Sequence, residues 1–298
     1  MDIGEAARLI EANSDFRLLR RVPAAADWVL PEVLGETRRG VFVDTETTGL
    51  DLESDEVIEL ALLPFEYERE TGRIVSVDHA GALSMFRQPL KPIPAGSTLI
   101  HGISDAMVAG RVIDEALVRA IVEPAHIILA HNAGFDRPMV EKHWPVFEDK
   151  HWACSLDEID WRAEGFGSAK LDYLLWARGW FHEGHRALID AEAALFLLTL
   201  PLPVSGRVAL EALLANARRP LWLVRAEATA FEQRASLKAR GYRWDDGGGK
   251  RVKAWWIMSN DPKSELEWLR SDIFGDERDV PVLKVPATKR YSSRVWAA

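Results

Sequence analysis

Short apolar segments alternate with turn-forming residues along the front part of the chain. Residues 41–43 are apolar and β-branched or aromatic, which predicts a buried strand. Residues 56–67 and 74–86 alternate apolar and polar positions, which predicts two further strands joined by a turn at 70–73. Three prolines make residues 88–97 a loop. The pattern therefore predicts a meander of three strands.

Helical periodicity precedes the meander and follows it. Residues 3–21 predict one or two amphipathic helices, which we interpret as a cap on the core. Ser104 is a suitable N-cap for a short helix. Further helices are predicted at 113–122, 135–142, 170–178 and 187–200, and further strands at 127–130 and 152–156. Pro138 fits its helix only in the first turn. Strands that alternate with helices predict an α/β fold, with helices covering a mixed sheet.

Charge divides the chain after residue 204. The net charge is −9, yet residues 205–298 carry 18 Lys and Arg against 12 Asp and Glu, a net charge of +6, and residues 1–204 carry −15. Pro201 and Pro203 would end the α/β unit sharply. We therefore predict an N-terminal helical cap at 1–38, an α/β domain at 39–204, and a smaller basic, Trp-rich α+β accessory domain at 205–298.

Composition narrows the cellular setting. The single cysteine, Cys154, can form no internal disulfide and supplies no zinc framework. The apolar runs are too short to cross a bilayer, and the acidic N-terminus has no apolar segment typical of a secretory signal. We expect a cytoplasmic protein.

Carboxylates stand at three places where predicted strands end or helices begin. Asp44 and Glu46 are two apart at the end of a buried strand, so they share one face. Asp136 opens one helix and Asp190 another, and His185 precedes the second. Paired carboxylates repel each other unless a cation lies between them, and oxygen ligands suit Mg²⁺ or Mn²⁺. Taken singly, each place also fits an ordinary surface acid or helix cap.

Together these residues resemble the DEDDh branch of the DnaQ-like 3′→5′ exonucleases. The matching residues, in the order Asp-x-Glu, Asp, His-x4-Asp, are Asp44, Glu46, Asp136, His185 and Asp190. The flanking Thr48-Gly49, His101-Gly102-Ile103-Ser104 and His131-Asn132 match as well. The resemblance covers about residues 40–200. Arg186 stands where a related branch has tyrosine, which supports the assignment of His185.

The resemblance implies a ribonuclease H-like sheet and two Mg²⁺ or Mn²⁺ ions roughly 3.5–4 Å apart. Asp44 would bridge both ions, Glu46 and Asp190 would complete the site of the ion that activates water, and Asp136 would hold the other. His185 would accept the proton of the attacking water, for which an imidazole of ordinary pKa, about 6.5, is suited. The product would be a nucleoside 5′-monophosphate. Such proteins are often homodimers.

The family's pattern also implies contacts to the terminal nucleotides. Thr47 would meet the 3′ hydroxyl, and Leu50, His101 and Phe135 would stack or wedge against the last bases. Ordinary core packing is an almost equally good interpretation of Leu50 and Phe135.

The basic accessory domain holds half of the 12 tryptophans. Its pattern predicts a helix, a strand, a Gly-rich turn at 247–249, a second strand, and a helix at 262–270. Cations that bind phosphates and rings that stack on bases are typical of nucleic-acid-binding modules. The alternative is a structural domain whose tryptophans form its core.

Three functions stay open at this point. The first, which we favour, is a DNA exonuclease for repair or end trimming. The second is an exoribonuclease in RNA maturation or decay, because the contact to a 2′ hydroxyl cannot be read from the motifs. The third is a non-catalytic nucleic-acid-binding subunit, against which the presence of all five motif residues weighs.

Overall fold

The computed structural model describes residues 2–247, 252–275 and 278–296. The chain divides into two compact units, residues 1–217 and residues 218–298. Each unit has its own sheet and its own buried core. Within the described ranges, no helix combines the length and the apolar character needed to cross a bilayer.

The first unit is built on a six-stranded mixed sheet. The strands of this unit are β1 (Arg20–Arg21), β2 (Thr37–Thr47), β3 (Val57–Glu68), β4 (Ile74–Val77), β5 (Leu83–Phe86), β6 (Ile127–Ala130), β7 (Trp152–Cys154) and β8 (Trp180–Phe181). Neighbouring strands of the six-stranded sheet follow the order β4-β3-β2-β6-β7, and β5 also pairs with β3. β2 pairs antiparallel with β3 but parallel with β6, which is parallel to β7. β1 and β8 form a separate parallel pair.

Helices cover this sheet, which confirms the predicted α/β class. The helices of this unit are α1 (Ile3–Glu11), which buries none of its residues, and α2 (Ala95–His101), α3 (Asp105–Val108), α4 (Glu115–Val122), α5 (Ala133–Glu141), α6 (Leu171–Ala177), α7 (Ala187–Thr199) and α8 (Ala209–Ala217). α7 packs against β2 and β3. It buries apolar residues such as Leu195 and Leu198 in one core with Phe42 and Leu63. This packing fixes the N-terminus of α7 beside the end of β2.

Three predicted elements differ from the observed ones. The helix expected at 3–21 ends at Glu11, and its Ile3 is 90% exposed. The strand expected at 74–86 is two strands, because Asp78 accepts a hydrogen bond from the backbone N–H of Gly81 and turns the chain there. Pro138 lies beyond the first turn of α5, since that helix begins at Ala133, earlier than expected. The regular alternation of apolar residues concealed the turn at Asp78.

The division between the units falls later than the predicted boundary at 204/205. α8 follows that boundary, and its Leu210, Leu213 and Leu214 lie in the core of the first unit. The structure therefore places the division after Ala217. The separation of a cap at 1–38 from a domain beginning at 39 stays a prediction.

The second unit is a four-stranded antiparallel sheet with helices, which confirms the predicted smaller α+β domain. The elements are β9 (Leu221–Glu227), α9 (Arg234–Ala239), β10 (Arg243–Asp245), β11 (Ala254–Ser259), α10 (Pro262–Trp268) and β12 (Val282–Val285), and a π-helical segment, Leu269–Phe274, continues α10. The strands lie in the order β10-β11-β9-β12. The sequence pattern did not predict β9 or β12. Most of the predicted turn at 247–249, with Lys250 and Arg251, lies outside the described residues.

Both faces of this second sheet are covered. Val224, Ala226 and Trp255 pack on one face against Leu237 and Leu269. Leu223 and Val285 pack on the other face against Val295. Several tryptophans thus contribute to a core, in agreement with the structural interpretation, but Trp244 remains half exposed.

Candidate active site

Three carboxylates meet where β2 ends and α7 begins. Asp44 and Glu46 lie two residues apart near the end of β2, and Asp190 lies in the first turn of α7. One oxygen from each of these side chains lies within 4.8 Å of one oxygen from each of the others. Such a cluster of oxygen donors fits a hard divalent cation such as Mg²⁺ or Mn²⁺.

Asp136 lies next to this group, in α5. It is buried, and the hydroxyl of Thr45 donates a hydrogen bond of 2.8 Å to its Oδ1. The alternation of β2 turns Thr45 to the side opposite Asp44 and Glu46. One face of β2 thus contributes the carboxylates of Asp44 and Glu46. The other face contributes the hydroxyl of Thr45, which holds the carboxylate of Asp136.

Burial and neighbouring negative charges raise the pKa values of carboxyl groups in this cluster. Burial, followed by the charges of Asp136, Asp190 and Glu46, raises the pKa of Asp44 well above its ordinary value. Burial and the charge of Asp190 raise the pKa of Glu46 to about 8. Burial raises the pKa of Asp136 to about 7, although the hydroxyl of Thr45 opposes the shift. The concentrated negative charge is what a bound cation would relieve.

Two histidines flank Asp190. His185 is exposed, and its backbone N–H donates a 2.8 Å hydrogen bond to Oδ2 of Asp190. Its φ of 69° is in the left-handed region, which is uncommon for a residue with a side chain. Nε2 of His182 lies 2.7 Å from Oδ1 of the same carboxylate. Both oxygens of Asp190 therefore have partners in the loop that precedes α7.

A partly buried ion pair lies next to Glu46. Glu59 of β3 stands opposite Glu46 in the register of the two strands and is almost fully buried. Arg186 donates two hydrogen bonds to it, of 2.9 and 3.2 Å. The backbone N–H of Ala187, at the start of α7, donates a third, of 3.3 Å. Glu59 thereby caps the helix that carries Asp190.

The residues predicted to contact substrate differ in their exposure. Leu50 is 83% exposed, so it is not part of the core. Phe135 is partly buried. Thr47 is buried, and its hydroxyl donates to the carbonyl of Gly49. His101 is buried; burial lowers its pKa, and the nearby imidazole of His185 lowers it further. Substrate contact by all four residues stays a prediction.

Sequence reasoning missed three groups that support this site. Thr45 lies between Asp44 and Glu46 in sequence but on the other face of the strand, so it was not expected to belong to the site. Glu59 lies inside an apolar strand, where a charged residue signals a buried partner. His182 stands three residues before His185, and its role depends on the path of the loop.

Comparisons with known proteins identify the family of this chain and two of its relatives. A family model described as "Exonuclease" (RNase_T) matches residues 41–198, more than half of the chain. A DNA polymerase III subunit epsilon-like protein of Rhodobacter capsulatus is 32% identical over 217 residues, which are 69% of this chain and 29% of that protein. An uncharacterized exonuclease of Escherichia phage 186 is 34% identical over 106 residues, which are 34% of this chain and 46% of that protein. The chain thus spans less than half of either relative.

Solved structures of exonucleases are similar in part. Exonuclease X, in complex with 5′ overhanging duplex DNA, has a TM-score of 0.43 and 25% identity, over 59% of this chain and 99% of that chain. Escherichia coli Exonuclease I, in complex with an oligonucleotide, has a TM-score of 0.45 and 16% identity, over 75% of this chain and 63% of that chain.

The family model matches the part of the chain that carries all five motif residues. The chain belongs to this exonuclease family, and the DEDDh resemblance of its motifs is confirmed at the level of the family.

Proposed function

We propose that this protein is a divalent-metal-dependent 3′→5′ exonuclease that releases nucleoside 5′-monophosphates, with DNA as the favoured substrate. The observation that carries the proposal is the convergence of Asp44, Glu46 and Asp190, whose oxygens lie within 4.8 Å of one another. Membership of the exonuclease family supports it. The two-metal mechanism, the direction and the product are parts of the proposal.

The donor set fits two hard cations. Asp44, Glu46 and Asp190 would hold one ion, and Asp136, with Asp44, would hold the second. Bound divalent ions supply Lewis-acid stabilisation of the phosphate and lower the pKa of coordinated water. Thr45 keeps Asp136 in place through its hydrogen bond. The Glu59–Arg186 pair keeps Asp190 in place through the start of α7.

His185 supplies the general base in this proposal. Its side chain is exposed, so the imidazole is accessible to an attacking water. The hydrogen bond from its backbone to Asp190 fixes the loop from which the imidazole projects. His182 is the weaker candidate, because its side chain is buried and already occupied by Asp190.

The substrate-binding residues we propose are Thr47, Leu50, His101 and Phe135. The exposure of Leu50 supports a role as a wedge against a base, since burying this side chain on substrate would be favourable. Beyond burial, the charge of His185 contributes to the lowered pKa of His101, which supports a position of His101 near the proposed base. RNA is the alternative substrate.

A cleavage assay tests the proposal. Single-stranded DNA and RNA of matched sequence, labelled at the 5′ end, are incubated with the full chain and Mg²⁺ or Mn²⁺. We expect a ladder that shortens from the 3′ end and disappears in EDTA. The variants Asp44→Ala and His185→Ala should lose the ladder, whereas Glu53→Ala, which removes an exposed acid, should keep it.

The outcomes separate the alternatives. Faster loss of DNA supports the favoured substrate, and faster loss of RNA replaces it with the exoribonuclease. Full activity in excess EDTA contradicts the metal-dependent mechanism. Absence of cleavage by folded, metal-bound protein favours the non-catalytic binding subunit. A role in DNA repair, a cytoplasmic location and a homodimeric state stay predictions; light scattering during size-exclusion chromatography would test the last.

A further inference from the structure

Two aromatic rings of the second unit are exposed on adjoining elements. Phe231, just before α9, is 71% exposed, and Trp244, on β10, is 50% exposed. β10 is the edge strand of the sheet, so nothing in the sheet pairs with its outer side. Burying the open faces of such rings against a partner would remove apolar surface from water and be favourable.

Each ring is held in place by a neighbour. The ring of Trp244 packs on the buried ring of Trp255, with centroids 5.4 Å apart. The guanidinium of Arg234 lies over Phe231, 4.3 Å from the ring centroid. Rings that are fixed on one side and open on the other form a platform for a flat ligand.

Two cations of α9 lie near these aromatic residues. Arg234 and Lys238 are one turn apart and therefore lie on the same side of the helix. Nζ of Lys238 lies 6.0 Å from the ring of Trp255, against which Trp244 packs. One side of α9 thus carries the cation that lies over Phe231 and the cation that approaches the Trp255–Trp244 pair.

These two cations carry charges that no carboxylate of the described residues neutralises. Among the residues that the structure describes, neither Arg234 nor Lys238 forms an ion pair with a carboxylate. Arg240, at the end of the same helix, is paired with Glu265 at 2.9 Å. Asp245, the acid nearest to Trp244 on β10, points to the opposite face, 3.5 Å from Arg225.

We infer that Phe231, Arg234, Lys238 and Trp244 form a binding surface for single-stranded nucleic acid. Open aromatic faces stack on unpaired bases, and cations at helical spacing that have no carboxylate partner neutralise phosphates. A duplex offers no base faces, so the rings select a single strand. The surface contains none of the residues proposed for cleavage and goes beyond that reaction.

Binding is measured on the full chain without catalysis. The Asp44→Asn variant in EDTA is titrated against a fluorescent oligonucleotide of about 30 nucleotides, followed by anisotropy at several salt concentrations. Against this parent, Phe231→Ala and Trp244→Leu should each weaken binding about fivefold or more. Arg234→Gln/Lys238→Gln should lower the slope of log affinity against log salt by about 1.4.

A matched control removes two cations elsewhere. Lys263 and Lys284 are exposed in the same unit, and Lys263→Gln/Lys284→Gln should leave the slope unchanged. Phe231→Ala removes a mostly exposed side chain, and Trp244→Leu keeps an apolar contact with Trp255, so both variants should keep the parent's circular dichroism. These spectra show that a loss of binding is not a loss of folding.

Three results would overturn the inference: unchanged affinity in both aromatic variants, an equal loss of slope in the control, or equally tight binding of duplex. Unchanged affinity in both aromatic variants would indicate that the rings bind a protein instead. Binding is measured without metal and is therefore tested independently of cleavage. If this surface binds a single strand but the chain does not cleave it when metal is present, only the proposed function is refuted. Cleavage with no effect of these variants on binding would refute only this surface.

Discussion

The guanidinium of Arg186 donates two hydrogen bonds to the buried carboxylate of Glu59, on a strand remote in sequence. The same carboxylate accepts the backbone N–H of Ala187 at the start of α7. One ion pair therefore neutralises a fifth acid beside the site and fixes the helix that carries Asp190. The two residues are expected to act as a unit, although neither belongs to the proposed metal ligands.

Arg186→Gln should destabilise the protein and lower its activity. The change leaves the charge of Glu59 buried without its partner, which in a fully buried pair costs about 3–5 kcal/mol. Arg186 is 42% exposed, so we expect roughly 1–3 kcal/mol. Denaturant unfolding measures the change. Glu59→Gln in addition should recover part of the loss, since the remaining side chains are neutral.

An exposed pair provides the control for this prediction. Arg119 and Glu115 lie one turn apart on α4, and both side chains are about half exposed. Arg119→Gln should change the free energy of unfolding by no more than about 0.5 kcal/mol. If both arginine variants lose the same stability, the Glu59–Arg186 pair has no special role.

The two histidines near Asp190 should differ in what they control. His185→Ala should lower kcat by roughly 10²–10⁴-fold, because it removes the proposed base while the carboxylates remain. His182→Ala should weaken binding of Mn²⁺ by about 10–100-fold, because it removes a neighbour that orients Asp190. Calorimetric titration with Mn²⁺ and kcat at saturating metal separate the two effects. The reverse pattern would make His182 the base.

Thr45→Val should shift the acidic limb of the pH–rate profile to higher pH. The hydroxyl of Thr45 lowers the pKa of Asp136, which burial has raised to about 7. Without the hydroxyl, a smaller fraction of Asp136 is ionised near neutral pH, so activity falls there and recovers as the pH rises. Thr199→Val is the control, since that hydroxyl bonds only within α7. A uniform loss at every pH would indicate a packing defect.

The metal-free protein should lose stability as the pH rises. Folding raises the pKa of Glu46 to about 8 and that of Asp136 to about 7, so the fold favours their protonated forms. Their contribution is fully present below the pKa values of the unfolded chain and is lost as the pH rises through about 7 and 8. Melting in EDTA between about pH 6 and pH 9 should show a decrease in Tm on the order of several degrees.

Two further measurements sharpen this prediction. Mg²⁺ should oppose the decrease, since a bound cation favours the ionised carboxylates. Glu46→Gln should flatten the dependence and raise the Tm of the metal-free protein at high pH, because it removes one charge from the cluster. A Tm that is independent of pH in EDTA would show that the carboxylates do not repel each other as the structure indicates.

The motif residues could be placed from sequence because strand ends and helix starts are local features. The apolar segment before Asp44 and the helical pattern after Asp190 are sufficient to predict both elements. The hydrogen bond of Thr45 to Asp136 joins residues 91 positions apart, and that of Arg186 to Glu59 joins residues 127 apart. Such pairs depend on strand register and helix packing, which no local pattern encodes.

In the second unit, two strands could not be predicted from the sequence pattern. Its helices and its two Trp-rich strands were predicted, but β9 and β12 were not. Residues of β9 such as Leu223 and Val224 are apolar without alternation, because both faces of the sheet are covered. A continuous apolar run is compatible with a helix or a strand, so its type is settled only by its neighbours.

The position of Cys154 makes this chain convenient for labelling. It is the only cysteine in the sequence, its side chain is buried, and burial raises the pKa of its thiol to about 12. Reagents that attack thiolates should therefore leave the native protein unmodified. One cysteine introduced on α9 and another on α1 would be the only reactive thiols. Dyes attached there would measure the distance between the two units in solution, and its change when a strand binds.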